Sequence, residues 1–381
     1  MLKLANLKGD RGIWLVIILL GMISTLAVYS STSALAFRFQ SGNTEYYLLR
    51  HTVLLVIGFV VMYFVHLWDY RFFAKISKLM LYLSVILLVY TLFQGEQHEI
   101  NRAARWITVF GQSFQPSDFA KFTLMVYLAR ILTEKQNNIK DFYKSFLPAI
   151  GWVLVLCGLV APANLSTALL MFIASILLMF IAGVSKRHLF GLLMIGFLGL
   201  VVLMFTARRF ETWRNRMVDF GERWTNSEYV PNYQTAQANI AIASGGFLGN
   251  GAGKSVQRNY IPHPYSDFVY AVIIEEYGLL GGIFVLGLYL MLLFRSVGIV
   301  TMSKTFGALL AAGLSFLLVI QAFINMGVTV GLLPVTGLPL PLISMGGTSI
   351  VFTGLALGVI LSVSRHALER QENPDNLVPT M

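Results

Sequence analysis

Long apolar stretches dominate the chain, and each has the length needed to cross a bilayer. A spanning helix takes about 20 mostly apolar residues. Segments of that kind lie near 13–34, 46–66, 77–94, 118–133, 145–162, 165–184, 188–207, 267–294, 305–327 and 346–364. Few folds tolerate such a pattern, because hydrocarbon offers backbone polar groups no partner outside the protein, and a helix satisfies them one segment at a time. The expectation is an all-α integral membrane protein of about ten transmembrane helices. Composition agrees, with 56% hydrophobic and 12% charged residues where soluble domains carry about a quarter charged. The first stretch, from Ile13 to Ser30, exceeds the roughly 7–15 apolar residues of a secretory signal. Despite the small-residue run SALA that follows, it reads as the first transmembrane helix.

The net charge of +10 would suggest nucleic acid in a soluble protein. In a membrane chain the placement of Lys and Arg sets orientation instead, and no nucleic-acid partner is expected. With the N-terminus inside, the inner segments hold Lys3, Lys8, Arg11, Arg71, Lys75, Lys78, Lys135, Lys140, Lys144, Lys186, Arg187, Arg295, Lys304, Arg365 and Arg370. The short outer connections hold Arg38, Arg102 and Arg105. The resulting organisation is one polytopic domain. It has a cytoplasmic segment 1–12, helices 1–7 over 13–207, an extracytoplasmic loop 208–266, helices 8–10 over 267–364, and a cytoplasmic tail 365–381. Cys157 sits in an apolar run, so there is neither a disulfide framework nor a cysteine-based metal site.

Two outer segments stand out. The loop 208–266 is basic, and a connection of about 60 residues is too long to be a mere link. Its run ASGGFLGNGAGKS offers many backbone N–H groups and can cradle an anion. The stretch VTVGLLPVTGLPLPLISM, 328–345, is too apolar for a solvated loop and too rich in Pro and Gly for a helix. Irregular backbone at membrane depth survives only when buried in protein or lining a cavity, so a re-entrant or surface-hugging segment beside a pocket is expected.

Several charged residues invite a chemical reading. Asp118 and Lys121 in QPSDFAKF are neighbours on a helix face and fit either a structural ion pair or a relay. Asp267 opens an apolar run with no basic residue one turn away. It fits either a helix N-cap or a general base in a basic outer cavity. Glu275 and Glu276 lie deeper, on different sides of that helix. Arg50, Arg102, Arg105, Arg214, Arg216 and Lys254 fall on the outer side and together ask for a phosphate or pyrophosphate, which the arginine fork binds bidentately.

INRAARWITVFGQSFQPSDFAKF, YQTAQANIAIASGGFLGNGAGKSVQRNYIP, SDFVYAVIIEEYGLLGG and NMGVTVGLLPVTGLPLPLISMGGTSI, in this order, resemble the SEDS family (shape, elongation, division and sporulation). GKSVQ and the YQ-x-x-Q pattern look more like its FtsW division branch than its RodA branch. The resemblance implies a ten-helix peptidoglycan glycosyltransferase in the bacterial cytoplasmic membrane. Such an enzyme polymerises lipid II at the outer face, with both termini cytoplasmic and a septal location.

The same resemblance implies a class B penicillin-binding protein as partner, alongside other division or elongation proteins and the membrane lipids. It gives Asp267 the catalytic position, and Arg105, Trp106, Arg216, Asp118 and Lys121 match further family positions. An Mg or Mn ion is a candidate cofactor beside the arginines. The chain departs from the family pattern in PHPYSDF, where His263, Tyr265 and Ser266 replace Glu, His and Thr. Asp118 replaces a Glu, and Asn164 in PANLSTA replaces an Asp. A lipid flippase and a non-catalytic scaffold of the division machinery are the alternative readings.

Overall fold

The computed structural model describes residues 8–32, 44–93, 106–109, 112–206, 210–226, 229, 231–300 and 305–372. The helices, in chain order, are α1 (Arg11–Ser31), α2 (Thr44–Leu67), α3 (Arg71–Phe93), α4 (Pro116–Glu134), α5 (Leu147–Val160), α6 (Leu165–Ala182), α7 (Lys186–Thr206), α8 (Phe210–Thr225), α9 (Tyr233–Gly245), α10 (Val269–Val300), α11 (Phe306–Thr329) and α12 (Gly347–Glu372). One antiparallel hairpin, β1 (Ile107–Val109) with β2 (Gln112–Phe114), precedes α4 and pairs Ile107 with Phe114.

Among the described residues, eight helices are long and apolar enough to cross a membrane. The other two expected spans also form helices, of 19 residues (α4) and 21 residues (α7). The chain is a multi-pass membrane protein.

α11 is the central pillar. About 78% of its apolar window is buried, against 28% for α2, and it packs on α4, α6, α10 and α12. α2 lies outside, held against α12. Lipid tails are as apolar as a leucine side chain, so helices in a bilayer associate by close packing rather than by leaving water. Gly354 and Gly358, one turn apart on α12, supply that closeness. A Cβ on Gly354 would run into the Gly58 carbonyl of α2, and one on Gly358 into that of Met62.

The chain entry is fixed by Asp10, whose Oδ1 accepts from Gly12 N at 2.7 Å and Ile13 N at 3.1 Å. Its own N–H donates to Ser364 Oγ at 2.8 Å, which ties the start of α1 to the end of α12. Asn164, at the position where the family pattern has Asp, caps α6 by accepting from Thr167 N at 3.3 Å.

Candidate active site

The segment 330–346 has irregular backbone and runs through the protein interior, with Leu338, Leu340, Leu342, Ile343 and Ser344 all buried. This is the re-entrant stretch that its composition predicts. Its prolines carry no N–H, so the need falls on carbonyl acceptors. Side chains from the surrounding helices meet it. Arg216 Nη1 on α8 donates to Val335 O at 3.1 Å, and Ser166 Oγ on α6 to Thr336 O at 3.0 Å. From α11, Asn325 Nδ2 donates to Leu338 O and Gln321 Nε2 to Pro339 O, each at 2.8 Å. Tyr289 OH on α10 donates to Pro341 O at 2.5 Å, and Ser24 Oγ on α1 to Ile343 O at 3.0 Å.

This segment holds Asp267. Ser344 Oγ donates to Ser266 O at 2.6 Å and accepts from Leu340 N at 2.8 Å. Met345 N donates to Tyr265 O at 2.9 Å, and Asn325 Nδ2 donates to Asp267 O at 2.8 Å. The half-buried carboxylate faces Gly337, where a Cβ would lie 3.5 Å from Oδ2. Its Oδ1 accepts from Ser266 Oγ at 2.9 Å. Among the described residues that hydroxyl, rather than a backbone N–H of α10, is its hydrogen-bond donor, so the N-cap reading of Asp267 does not hold. Tyr265, two residues before it, titrates above the ordinary tyrosine range because of burial first, then Tyr47 and the Asp267 charge.

Deeper in the bundle, Lys121 Nζ lies 2.8 Å from Asp118 Oδ1, and both side chains are buried. The lysine also donates to Gln321 Oε1 at 3.1 Å, which connects the pair through Gln321 to Pro339 O. Asp118 Oδ2 has no hydrogen-bond partner among the described residues. Asp118, Lys121, Gln321, Ser349 and Thr353 border a small, partly open cavity. Gln321 and Asn325 are one helical turn apart on α11, so a single helix face serves both the ion pair and Asp267.

Of the six expected cations, four lie among the described residues. Arg216 is half-buried and committed to Val335 O. Arg50, Arg214 and Lys254 are exposed, and among the described residues none of their side chains makes an ion pair. Trp106 is exposed beside the hairpin. Arg102 and Arg105 lie outside the described residues. No group of three or more His, Cys, Asp or Glu side chains among the described residues could hold a metal ion.

The Gly-rich run docks on α10. α10 breaks at Gly278 (φ 69°, ψ −172°), a region that L residues rarely adopt, and the loop after α9 closes the break. Leu279 N donates to Gly246 O at 3.0 Å. Asn250 N donates to Glu275 O at 3.0 Å, and Gly251 N to Glu276 O at 2.9 Å. These amides therefore serve the loop's docking onto α10 rather than an anion.

The same contacts account for the two buried glutamates. Glu275 accepts from Ser255 Oγ and, at 2.9 Å, from Val256 N. Glu276 accepts from Ser30 Oγ and, at 3.3 Å, from Ser255 N. Arg258 Nη1 donates to Ser30 Oγ at 2.8 Å. The stretch 208–266 thus contains two helices, and its second half folds back along α10 to Asp267.

Gln321, Asn325, Ser344 and Ser24 were not singled out from sequence. Their only signal is a polar residue inside an apolar run, and such residues commonly bond within their own helix.

The fold and site define a polytopic α-helical membrane protein with a carboxylate held at the mouth of the bundle by a re-entrant segment. Residues 10–369 match the family described as "Cell cycle protein", FtsW/RodA/SpoVE, and the chain belongs to that family. It is 33% identical to stage V sporulation protein E of Bacillus subtilis (strain 168) over 370 residues, covering 94% of this chain and 98% of the relative. It is 34% identical to a probable peptidoglycan glycosyltransferase FtsW of Geobacter sulfurreducens over 361 residues, 94% and 95% of the two chains.

Among solved structures, the rod shape determining protein RodA of Thermus thermophilus superposes with a TM-score of 0.68 at 25% identity, over 95% of this chain and 98% of that one. A chain from a peptidoglycan synthase complex that coordinates polymerization and crosslinking superposes with a TM-score of 0.72 at 26% identity, over 94% and 98%.

Proposed function

We propose that this protein is a peptidoglycan glycosyltransferase that polymerises lipid II at the outer face of the bacterial cytoplasmic membrane, in the division machinery. The observation that carries the reading is the state of Asp267. Its main chain is pinned by Asn325, while its carboxylate is half-buried and bonded to one hydroxyl, Ser266. A general base needs that combination of fixed position and available lone pairs.

In this reaction Asp267 removes the proton from the 4-hydroxyl of the acceptor's terminal GlcNAc. The oxygen attacks the anomeric carbon of the donor MurNAc with inversion, and the bond to undecaprenyl pyrophosphate breaks as that group leaves with the electron pair. The leaving group is already a weak base, so it needs charge neutralisation rather than a general acid. Arg216, Arg214, Arg50 and Lys254 are the candidate cations for that role, joined by Arg105 and Trp106 of the family motif. Asp118 and Lys121 hold α4 to α11 beneath the site. A divalent cation on the substrate's pyrophosphate would add to that charge neutralisation.

Both termini are assigned to the cytoplasm from the positive bias of the inner segments. The likeness to a chain of a synthase complex that coordinates polymerization and crosslinking supports a crosslinking partner, which we take to be a class B penicillin-binding protein.

The test is polymerisation of labelled lipid II by purified protein with its partner held transpeptidase-inactive. Wild type makes glycan strands, and Asp267→Asn, folded and partner-bound, makes none. Equal activity of the two would remove Asp267 from the mechanism. A wild type that is inactive where a control enzyme works would remove the transferase reading.

A further inference from the structure

His51 lies on α2 with no exposed surface, and nothing in the reaction above uses it. Its Nε2 is 2.9 Å from Ser24 Oγ on α1. The same hydroxyl is 3.0 Å from Ile343 O in the re-entrant segment. A hydroxyl has one proton to give, and a carbonyl oxygen can only accept. Ser24 therefore donates to Ile343 O, and the bond from His51 must be donated by Nε2–H. That assignment places a proton on Nε2. Nδ1 is buried without a partner among the described residues and is therefore a bare lone pair, which leaves the ring neutral. A proton there would be a buried donor with nothing to bond, which is strongly unfavourable.

The bonds do not stop at Ile343. The next residue, Ser344, donates to Ser266 O at 2.6 Å, and Ser266 Oγ donates to Asp267 Oδ1 at 2.9 Å. The Ile343 carbonyl that α1 and α2 hold thus lies directly before the hydroxyl that fixes the Asp267 loop. We propose that His51 is a positioning residue for Asp267: acting through Ser24, it locks the Ile343 carbonyl and so holds Ser344 against Ser266. The proposal rests on the reading of Asp267 as the base. An apolar side chain at 51 could fill the same space, but it would leave the Ser24 oxygen with no donor and free the hydroxyl to turn away from Ile343.

Two measurements decide it. The first is independent of turnover: 15N NMR of the full-length, histidine-labelled protein in lipid nanodiscs, with His51 assigned by the signal lost in His51→Gln. A protonated Nε2 and bare Nδ1 are expected, with the Nε2–H signal displaced in Ser24→Ala. A protonated Nδ1, or an Nε2–H signal indifferent to Ser24→Ala, overturns the proposal.

The second is lipid II polymerisation with variants shown by melting to be folded. His51→Leu is expected to lower kcat by about tenfold or more, the scale of a small misplacement of a reacting group, with KM within about twofold. His51→Gln, whose amide N–H replaces the imidazole donor, is expected to restore most of the rate. Ser24→Ala with His51→Leu should be no worse than either alone. Full activity in His51→Leu, or equal impairment of His51→Gln and His51→Leu, overturns the proposal. Full activity in Asp267→Asn would instead remove the base assignment, while the NMR arm still reports whether His51 holds the segment.

Discussion

One side-chain amide joins the start of α10 to the irregular segment: Asn325 Nδ2 donates to Asp267 O and to Leu338 O, each at 2.8 Å. The carboxylate's position is therefore set by a residue on α11, 58 positions later in the chain. Asn325→Leu keeps similar bulk and leaves two interior carbonyls without a donor. An orphaned buried group costs about 1–3 kcal/mol. The variant is expected to melt clearly lower in detergent and to lose polymerisation even below its melting range. Wild-type activity in a stably folded Asn325→Leu would show that Asp267 is held by other means.

The Asp118–Lys121 pair predicts an asymmetry. Removing one partner of a buried pair strands the other's charge, at about 3–5 kcal/mol, whereas replacing both with apolar groups is often close to neutral. Lys121→Met alone should lower thermal stability more than Asp118→Leu with Lys121→Met. If the double variant is the less stable of the two, the pair does more than satisfy itself. Its link to Pro339 through Gln321 would then be the first place to look.

Gly278 predicts a backbone effect. Its φ and ψ (69°, −172°) suit glycine alone, and forcing another residue there costs on the order of 1–3 kcal/mol. Gly278→Ala would also press its Cβ into the Phe247 carbonyl. Limited proteolysis is expected to cut the 246–258 loop faster in this variant. Glu275→Ala should do the same, because it removes the acceptor for Ser255 Oγ and Val256 N. Glu275→Gln, which keeps an oxygen acceptor, should stay close to wild type.

Tyr229 supplies a pH dependence. Burial, with the Asp219 carboxylate that accepts its hydroxyl proton at 2.6 Å, raises its pKa from 10.0 to about 12. Between those values the folded state keeps a proton that the unfolded state has lost, so stability falls as pH rises through that window and is fully present below it. Melting temperatures measured from pH 9 to 12 should drop more steeply for wild type than for Tyr229→Phe. Parallel curves would mean that Tyr229 titrates alike in both states.

How much was legible beforehand differs from element to element. The spans were, because apolar runs of bilayer length admit only helices. The re-entrant character of 328–345 was too, since its composition fits neither a helix nor a solvated loop. Asp267 was visible as a lone carboxylate at a polar–apolar junction, and Asp118 and Lys121 as an i, i+3 pair. Neither the fate of the basic residues nor that of the Gly-rich run could be read this way. A flexible arginine reaches many places, and only the folded arrangement shows Arg216 turned onto Val335 O. A glycine-rich run has donors to offer an anion, and only the break at Gly278 shows those donors meeting Glu275 and Glu276 carbonyls.

Sequence by itself determined the solvent this protein lives in, its helical class and the residues able to carry charge inside it, because local length, period and composition fix those quantities. Tertiary structure alone decided which polar groups face one another: Ser24 with Ile343, Gln321 with Pro339, Asn325 with Asp267. Those pairs are distant in the chain and come from residues with no periodic signature. They exist because an irregular segment buried in the bundle must find a donor for each of its carbonyls.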